Sequence, residues 1–477
     1  MMLDKPLLID GTWRSPSGTR TAEVRNPATG QIIAKLPVCE PADLDAALRA
    51  AAKGFEVWRK MTALERYRIL LKAAMLVRER AQVIAQHMVR EQGKPLAEAL
   101  GEANTAPEHI EWHAEEARRI YGRVIPSRVP SARQLVLKEP VGPVAAFSPW
   151  NFPINQLVRK ISAALAAGCS VIAKPPEETP SACIELARAF QDAGVPDGVV
   201  NIVFGIPQEV SDYLIASPIV QKISFTGSVP VGKKLAAAAA SHMKRSTMEL
   251  GGHAPYIIAD DADVAAAAKL GVMLKYRNAG QVCASPTRFY VHDAVYDSFK
   301  DSFVSGARAL KVGDGSVDGV QMGPLANSRR LDEMEVFVDD AVGYGAKLEC
   351  GGHRIGNAGF FFEPTVMSNV PEEARIMNDE PFGPIAALVR VGSIEEAITR
   401  SNRLPYGLAA FAFTRSLATA DRFASELQAG MVSINHFGIA APETPFGGIK
   451  DSGYGSEGGA ESLEGYLTTK FVSHIAA

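Results

Sequence analysis

The sequence predicts an α/β fold in which helices cover parallel sheets. Strand-like and helix-like segments alternate from Val141 to His242, and the alternation resumes from Ala254 to about Leu427. This rhythm is typical of parallel sheets that are buried on both faces. Because 477 residues are too many for one ordinary domain, we expect two or three domains.

The individual elements follow from local composition and spacing. Short strands and turns are expected at the start of the chain, up to the turn signal Asn26–Gly30. Residues rich in Ala, Leu, Arg and Glu at helical spacing predict helices from Pro41 to about Gly101 and on to Tyr121. Strands are predicted at Arg133–Lys138, Val141–Phe147, Ser170–Ala173, Val199–Phe204 and Lys222–Phe225, and helices at Asn155–Ala167, Pro180–Ala193, Glu209–Ala216 and Val231–His242.

Composition excludes several classes of protein. The chain is 47% hydrophobic and 22% charged, which is a globular balance. Its net charge of −3 provides no basic surface for a polyanion, so we expect no nucleic-acid partner. Of its two uncharged stretches, Val141–Val158 is interrupted by prolines and Ile161–Ala173 is too short to span a bilayer. We therefore predict no membrane partner.

The cysteines indicate a reducing compartment. Their number, five, is odd, they are far apart and they form no C-x-x-C pair. A disulfide framework or a zinc site is therefore not expected, and we predict a cytoplasmic protein. His253 has no second ligand nearby in the sequence, so we interpret it as structural and predict no metal.

A glycine turn at Ser224–Lys233 has the features of a phosphate site. A predicted strand runs into the turn and a helix starts after it, which offers backbone N–H groups and the positive end of a helix dipole to an anion. Two of the glycines have P-loop spacing, but Lys234 stands where a P-loop needs Ser or Thr for magnesium. The G-x-G-x-x-G fingerprint is also absent. A plain strand-to-helix turn is the alternative.

Lys174 and Glu177 follow another predicted strand, in the crevice where α/β sheets bind ligands. The lysine could bond ribose hydroxyls or phosphate. The carboxylate could accept a hydrogen bond from a ribose 2′-OH and would repel a 2′-phosphate, which favours NAD over NADP. A solvated ion pair is the alternative interpretation.

Four further turns carry groups that suit acyl chemistry. Asn151 offers a side-chain N–H near a strand end, as an oxyanion hole requires, although turns are also a common place for asparagine. Cys283 follows a Gly-Gln turn and Glu249 precedes a Gly-Gly turn, so the pair could supply a nucleophile and a base. Glu380 could bond a cofactor ribose and Phe382 could pack on a ring, or both could belong to a simple Pro/Gly-rich loop.

Together these motifs resemble the aldehyde dehydrogenase superfamily over nearly the whole chain. The ordered set is Pro-Trp-Asn-Phe-Pro (149–153), Lys-Pro-Pro-Glu (174–177), Phe-Thr-Gly-Ser (225–228) with Gly232, Glu-Leu-Gly-Gly (249–252), Gly-Gln-x-Cys (280–283) and Glu-Pro-Phe-Gly-Pro (380–384). The resemblance implies that Cys283 is the nucleophile, Glu249 the general base and Asn151 the oxyanion donor. It implies NAD as the cofactor, with NADP as the weaker alternative, bound by Trp150, Lys174, Glu177, Gly227, Ser228, Gly232, Glu380 and Phe382.

The same resemblance implies three parts. Residues 1–120 and 141–250 would form a Rossmann-like NAD-binding domain, and residues 251–448 a catalytic α/β domain. Residues 121–140 and 449–477 would form a β oligomerisation arm. Because strands that join a neighbour's sheet hide their edges, the expected assembly is a homodimer or a homotetramer.

Within the superfamily the chain is most similar to semialdehyde dehydrogenases, namely the succinate-semialdehyde and α-ketoglutaric-semialdehyde branches. Their arginines fall on Arg159 and Arg277, which could clamp a substrate carboxylate, and Gln156 lies on the same helix face as Arg159. The succinate branch often has a serine before Pro-Phe-Gly-Gly, where this chain has Ala440-Ala441-Pro442. That difference suggests a longer or partly aromatic substrate, so an aromatic or medium-chain aldehyde is the alternative.

Two other classes of protein compete with this interpretation. A non-catalytic binding protein with this fold would be expected to have lost Cys283, Glu249 or Asn151, and all three are present. A P-loop nucleotide hydrolase is disfavoured by Lys234, because the magnesium ligand is missing.

Overall fold

The computed structural model describes residues 2–475, which form twenty strands and thirteen α-helices. The strands are β1 (Leu7–Ile9), β2 (Thr12–Arg14), β3 (Thr21–Arg25), β4 (Ile32–Pro37), β5 (Arg123–Ile125), β6 (Ala132–Pro140), β7 (Val144–Phe147), β8 (Val171–Lys174), β9 (Val200–Ile202), β10 (Lys222–Gly227), β11 (Arg245–Leu250), β12 (Ala254–Ile258), β13 (Pro286–His292), β14 (Lys347–Cys350), β15 (Thr365–Ser368), β16 (Ile385–Val391), β17 (Ala409–Phe413), β18 (Met431–Ile434), β19 (Gly453–Tyr454) and β20 (Leu467–Ile475). The helices are α1 (Pro41–Trp58), α2 (Ala63–Glu79), α3 (Ala81–Gln92), α4 (Leu96–Ala117), α5 (Pro153–Ala167), α6 (Pro180–Ala193), α7 (Pro207–Ala216), α8 (Val229–Ser241), α9 (Val264–Tyr276), α10 (Tyr296–Arg308), α11 (Ser328–Gly343), α12 (Ile394–Asn402) and α13 (Leu417–Glu426). Residues 1, 476 and 477, at the ends of the predicted 1–120 and 449–477 segments, lie outside the described residues.

Proline and glycine set the bounds of the helices next to the first large sheet. Both α5 and α6 begin with a proline, whose missing N–H is not needed at that position. Both end before a left-handed glycine, Gly168 at φ 97° and Gly194 at φ 98°. Helix α6 is therefore confirmed residue for residue, and α5 begins two residues before its predicted start at Asn155.

The first large sheet has the strand order β19-β11-β10-β7-β8-β9-β1-β2. Strands β11, β10, β7, β8 and β9 are parallel, whereas β19 and β1 are antiparallel to their neighbours. Because parallel strands end at the same edge of a sheet, the crevice beyond that edge collects the turns after β7, β8, β10 and β11. Each of these strands carries, at its end or in the turn after it, residues that the sequence predicts for the site.

The second large sheet has the order β14-β15-β16-β13-β12-β17-β18, and β14 is its antiparallel member. Residues 251–253 connect it to the first sheet, between β11 and β12. The loop that carries Cys283 lies between α9 and β13 and contains two consecutive left-handed residues, Asn278 at φ 50° and Ala279 at φ 53°. The Cys283 thiol thus lies on irregular backbone between two regular elements.

Two smaller sheets complete the fold. Strand β20 pairs with β6 along its whole length, from Leu467 opposite Pro140 to Ile475 opposite Ala132, and β5 lies on the other side of β6. The two predicted arm segments therefore contact each other, but β19, from the second of them, pairs with β11 in the first large sheet. The domain boundaries and the role of the arm stay predictions. Strands β3 and β4 form a two-stranded sheet.

Among residues 2–475, no helix has both the length and the apolar character that crossing a membrane requires.

Candidate active site

Cys283 lies where two cavities meet. One, of about 260 Å³, is lined by Gln156, Arg159 and Arg277 as well as by the cysteine. The other, of about 480 Å³, is lined by the cysteine together with Trp150, Asn151, Gln156, Gly227, Ser228, Glu249, Glu380 and Phe382. A molecule in either cavity can therefore reach the same sulfur atom, and most of the sequence-predicted residues surround it.

Glu249 is a buried carboxyl group at the end of β11. Its side chain is 3% exposed, and neither carboxyl oxygen has a hydrogen-bond partner among residues 2–475. Burial raises its pKa well above the usual range and Glu457 raises it further, while Lys160 and Arg159 act in the opposite direction. An unpaired, basic carboxyl group beside a cavity is suited to accept a proton from water.

The Cys283 thiol is also held in its neutral form. Burial raises its pKa to about 12, with Glu380 and Glu249 contributing in the same direction and Arg159 opposing them. Since the thiolate is the reactive form, the sulfur becomes a strong nucleophile only as its proton leaves. The four other cysteines are free thiols as well, and none of them lines either cavity.

The Asn151 side chain is oriented by the loop that bears the thiol. Its Nδ2 donates to the carbonyl oxygen of Gln281 at 3.1 Å, and the residue is 3% exposed. An amide nitrogen carries two hydrogens, so one is available for an oxygen atom beside Cys283. An amide held beside the thiol in this way could serve as an oxyanion donor.

Glu380 and Phe382 reach the larger cavity from the second sheet. Gly252 donates its backbone N–H to Glu380 Oε1 at 3.3 Å, and burial raises the pKa of this carboxyl group to about 8. The Phe382 ring meets the Trp150 ring edge to face, with centroids 5.7 Å apart. A carboxyl group and two aromatic rings around one cavity fit a ribose and a planar base.

A third cavity, of about 370 Å³, extends the site along the first sheet. It shares Trp150, Gly227 and Ser228 with the larger cavity, and is lined also by Lys174 and Glu177. The lysine Nζ lies 2.6 Å from Glu177 Oε2, and Oε1 of the same carboxylate accepts the Gly205 N–H at 3.1 Å. The two adjoining cavities thus form one groove, and the Glu177 carboxylate is held in place at the end away from Cys283.

The turn at Ser224–Lys233 contributes a helix start to this groove. Ser228 caps α8 without a side-chain hydrogen bond, so the hydroxyl remains available to a ligand. Close packing places α8 there, since a Cβ on Gly232 would lie 2.2 Å from a methyl carbon of Leu250. Lys233 pairs with Asp451 at 2.6 Å and is not free to bind phosphate, which removes further support from the P-loop alternative.

The two predicted clamp arginines line the smaller cavity in different ways. Arg159 is 6% exposed, and its Nη atoms donate to the carbonyl oxygens of Glu457 at 3.2 Å and Ala440 at 3.1 Å. Arg277 is exposed, and its guanidinium lies 5.1 Å from the ring centroid of Phe152. Arg159 therefore orders the loop at the cavity wall, while Arg277 is the more accessible cation.

Several residues of the site were missed in the sequence. Phe411 and Phe446 add aromatic walls to the smaller cavity, and nothing in their local pattern distinguishes them from core residues. Lys160 and Glu457 form a buried ion pair that affects the Glu249 carboxyl group. Lys94, whose Nζ contacts the Asn151 carbonyl oxygen, was also missed, because its turn does not reveal that the side chain is buried.

Comparison with known proteins agrees with this geometry. The family model described as "Aldehyde dehydrogenase family" matches residues 13–472. The chain is 46% identical over 470 residues to 4-(hydroxymethyl)benzenesulfonate dehydrogenase TsaD1 of Comamonas testosteroni, covering 98% of each chain. It is 43% identical over 464 residues to glutarate-semialdehyde dehydrogenase of Pseudomonas aeruginosa, covering 97% of this chain and 96% of the relative.

Among solved structures, an NADP-dependent enzyme of E. coli superposes with a TM-score of 0.97 at 40% identity, covering 99% of this chain and 98% of that one. The predicted fold class is therefore confirmed. The chain belongs to the aldehyde dehydrogenase family and is an oxidoreductase that acts on aldehydes with NAD or NADP.

Proposed function

We propose that Cys283, Glu249 and Asn151 oxidise an aldehyde that carries a negative charge at its far end to the corresponding carboxylic acid. The observation that supports this most directly is the position of Cys283 between two cavities. The nucleotide groove reaches the sulfur from one side, and a cavity with an accessible guanidinium reaches it from the other.

The first half of the reaction forms a bond between sulfur and carbon. Cys283 Sγ releases its proton to solvent and attacks the aldehyde carbon, and the carbonyl oxygen becomes an oxyanion. The Asn151 amide and the Cys283 backbone N–H donate hydrogen bonds to that oxygen. The tetrahedral carbon then gives up a hydride, for which NAD(P) supplies the acceptor, and a thioester remains on Cys283.

The second half releases the acid. Glu249 takes a proton from a water molecule, and the water oxygen attacks the thioester carbon. The carbon–sulfur bond breaks, the sulfur leaves as the thiolate, and the carboxylic acid departs. The raised pKa of Glu249 makes it basic enough for this step.

We infer that NAD is the preferred cofactor. Glu177 is held by Lys174 and by the Gly205 N–H, so its charge stays at the far end of the nucleotide groove. A 2′-phosphate placed there would meet a fixed like charge, whereas a 2′-hydroxyl would meet a hydrogen-bond acceptor. The groove fits the nucleotide through its other residues as well, since Ser228 and the α8 N-terminus lie at its centre.

The preferred substrate class is a semialdehyde of a dicarboxylic acid, such as succinate or α-ketoglutaric semialdehyde. Arg277 supports this assignment, because it lines the cavity and its guanidinium packs on the Phe152 ring. The charge is therefore accessible to a substrate carboxylate. Gln156 adds an amide on the adjacent wall. The relative named for glutarate semialdehyde shares this substrate class.

An aromatic aldehyde with an anionic substituent is the second candidate. Four phenylalanine rings, Phe152, Phe411, Phe437 and Phe446, line the smaller cavity, and Ala440 and Ala441 leave its wall apolar. Flat apolar walls below a guanidinium suit a benzene ring that carries a sulfonate or a carboxylate. The relative named for a benzenesulfonate supports this candidate.

Two properties of the whole protein are also proposed. The exposed side chains of β20, including Phe471 at 58% and Ile475 at 59%, support a homodimer or homotetramer that covers this strand. All five cysteines are free thiols, which supports a cytoplasmic location.

Replacement of Arg277 by Met should separate charged from uncharged substrates. We expect KM for succinate semialdehyde or 4-sulfobenzaldehyde to rise about 10- to 100-fold, since a charged hydrogen bond contributes about 1.5–3 kcal/mol. KM for hexanal and benzaldehyde should stay the same. NADH absorbance measures both, with Arg415→Met, in an exposed ion pair with Asp263, as the matched control. Equal losses on charged and uncharged aldehydes would contradict the assignment.

Replacement of Glu177 by Gln should relax cofactor choice. Glutamine keeps an oxygen for the Gly205 N–H but removes the charge, so KM for NADP should fall by about tenfold or more while KM for NAD changes little. Steady-state kinetics with both cofactors give the ratio, and Glu185→Gln on the outer face of α6 is the control. An unchanged ratio would show that another residue sets the preference.

Alkylation of the resting enzyme should reveal the raised thiol pKa. Because that pKa lies near 12, the thiolate fraction should increase about tenfold per pH unit through the neutral and alkaline range. Inactivation by iodoacetamide, measured from pH 6 to 10 without cofactor, should rise steadily over the whole range. A plateau near pH 8 would mean that the thiolate is stabilised. The Cys283→Ala enzyme, checked by mass spectrometry, shows which label belongs to this thiol.

Charge introduced on β20 should reduce the assembly. Wild type is expected at a multiple of the 51.0 kDa chain mass in light scattering at micromolar concentration. The double variant Phe471→Glu/Ile475→Glu should shift toward the single chain, because buried charges without partners oppose association. Leu417→Glu, at a residue that is 78% exposed on α13, is the control. A single-chain mass for wild type would refute the proposed assembly.

A further inference from the structure

A buried lysine holds the backbone of the residue that we place in the oxyanion hole. Lys94 lies in the turn before α4, and its side chain has no exposed surface. Its Nζ donates to the Asn151 carbonyl oxygen at 2.9 Å and lies 4.2 Å from the ring centroid of Phe152. The carboxylate of Glu102, also without exposed surface, lies 2.5 Å away. The ammonium therefore contacts the oxyanion turn and one neutralising carboxylate.

Glu102 also caps the start of helix α5. Its Oε1 accepts the backbone N–H groups of Ile154 at 3.0 Å and Asn155 at 3.2 Å, in the first turn of α5. The residue before that helix, Phe152, provides no side-chain cap of its own. A carboxylate at this position also favours the positive end of the helix dipole. The start of α5 is thus fixed to α4 directly after Asn151.

The same region of the chain also holds the loop that bears the thiol. Asn278 Nδ2 donates to the carbonyl oxygens of Asn151 at 3.0 Å and Gln281 at 3.2 Å. Gln92 Nε2 donates to Asn278 Oδ1 at 2.8 Å, and Gln92 Oε1 accepts the backbone N–H of Lys94 at 3.0 Å. The left-handed backbone of Asn278 needs such support, because non-glycine residues rarely adopt it.

We propose that Lys94, neutralised by Glu102, is a positioning residue for the oxyanion hole. The hole has two donors on separate segments, the Asn151 amide and the Cys283 backbone N–H. Lys94 and Asn278 share the Asn151 carbonyl oxygen, and this shared contact sets the distance between the two segments. The inference rests on the proposed function, because it assumes that Asn151 stabilises the oxyanion.

The physical basis is the cost of leaving any member of this group unpaired. Removing one partner of a buried ion pair destabilises the protein, because the other charge is left buried without compensation. The Asn151 carbonyl would also lose a charge-assisted hydrogen bond. Methionine at position 94 fills similar space without that bond, so the turn can shift while the fold remains. A shift of about 1 Å in a catalytic group is sufficient to lower turnover by about 100-fold.

A double-mutant cycle between Lys94→Met and Asn151→Ala tests the proposal. We expect Asn151→Ala to lower kcat by about 10²–10³-fold, as for loss of an oxyanion donor. Lys94→Met should lower kcat by about 10- to 100-fold with little change in aldehyde KM. In the Asn151→Ala background, Lys94→Met should lower kcat by less than about threefold, because the side chain that Lys94 positions is already absent.

Lys222→Met provides the matched control. Lys222 is another fully buried lysine, hydrogen-bonded to Thr247 Oγ1 at 2.6 Å at the opposite end of β10 from the site. Its replacement should lower the melting temperature without changing kcat, and its effect should be independent of Asn151→Ala. NAD affinity, followed by fluorescence quenching, should be unchanged in Lys94→Met, whereas general loosening of the site would weaken it.

The outcomes distinguish the positioning role of Lys94 from the oxyanion role of Asn151. Independent, multiplying effects of Lys94→Met and Asn151→Ala would overturn the positioning role. An Asn151→Ala enzyme with unchanged kcat would instead overturn the proposed role of Asn151 itself. If Lys94→Met does not fold, Glu102→Gln decides the same cycle, since glutamine keeps an acceptor for the α5 N–H groups and removes only the charge opposite Lys94. Its loss of kcat should also vanish in the Asn151→Ala background, and a persistent loss would count against the proposal.

Discussion

The active site depends on the close approach of backbone at Gly251 and Gly252, which join the two large sheets. A Cβ on Gly251 would lie 2.2 Å from Glu380 Oε2, and a Cβ on Gly252 would lie 2.9 Å from the Cys283 carbonyl oxygen. A side chain at position 251 would displace the Glu380 carboxyl group, and one at position 252 would push against the backbone of the Cys283 loop. Glu249 on β11, the Cys283 thiol and Glu380 therefore lie close together because two successive residues have no side chains.

This convergence has an electrostatic cost that shapes the chemistry. Burial raises the pKa of Glu249, Cys283 and Glu380, and the two carboxyl groups further raise the pKa of the thiol between them. The site therefore disfavours negative charge, and the carboxylate form of Glu249 is a stronger base there than it would be in water. A neutral amide donor such as Asn151 suits this setting, because it stabilises an oxyanion without lowering the pKa of a carboxyl group that must act as a base.

Local signals predicted the elements, and contacts between distant segments decided the side-chain roles. Helix α6 was predictable to the residue because Pro180 and Gly194 mark its ends. The burial of Lys94 was not predictable from its turn, because it depends on Asn151, 57 residues away. Likewise, the backbone carbonyls that accept hydrogen bonds from Arg159 lie 281 and 298 residues further along the chain. Sequence reasoning could place both arginines in one cavity, but not show which of them is accessible.

Helix α5 connects the chemistry to substrate choice. Its first turn is anchored by Glu102 beside Asn151, and the next turns carry Gln156 and Arg159 into the smaller cavity. The segment Phe437–Ala441 also lines that cavity, and its residues line neither nucleotide cavity. Changes in this segment can therefore alter the accepted aldehyde without disturbing the groove or the oxyanion donor. Changes at the start of α5 would instead disturb aldehyde binding and turnover together. The same helix follows Asn151 directly and carries Gln156 and Arg159 into the smaller cavity.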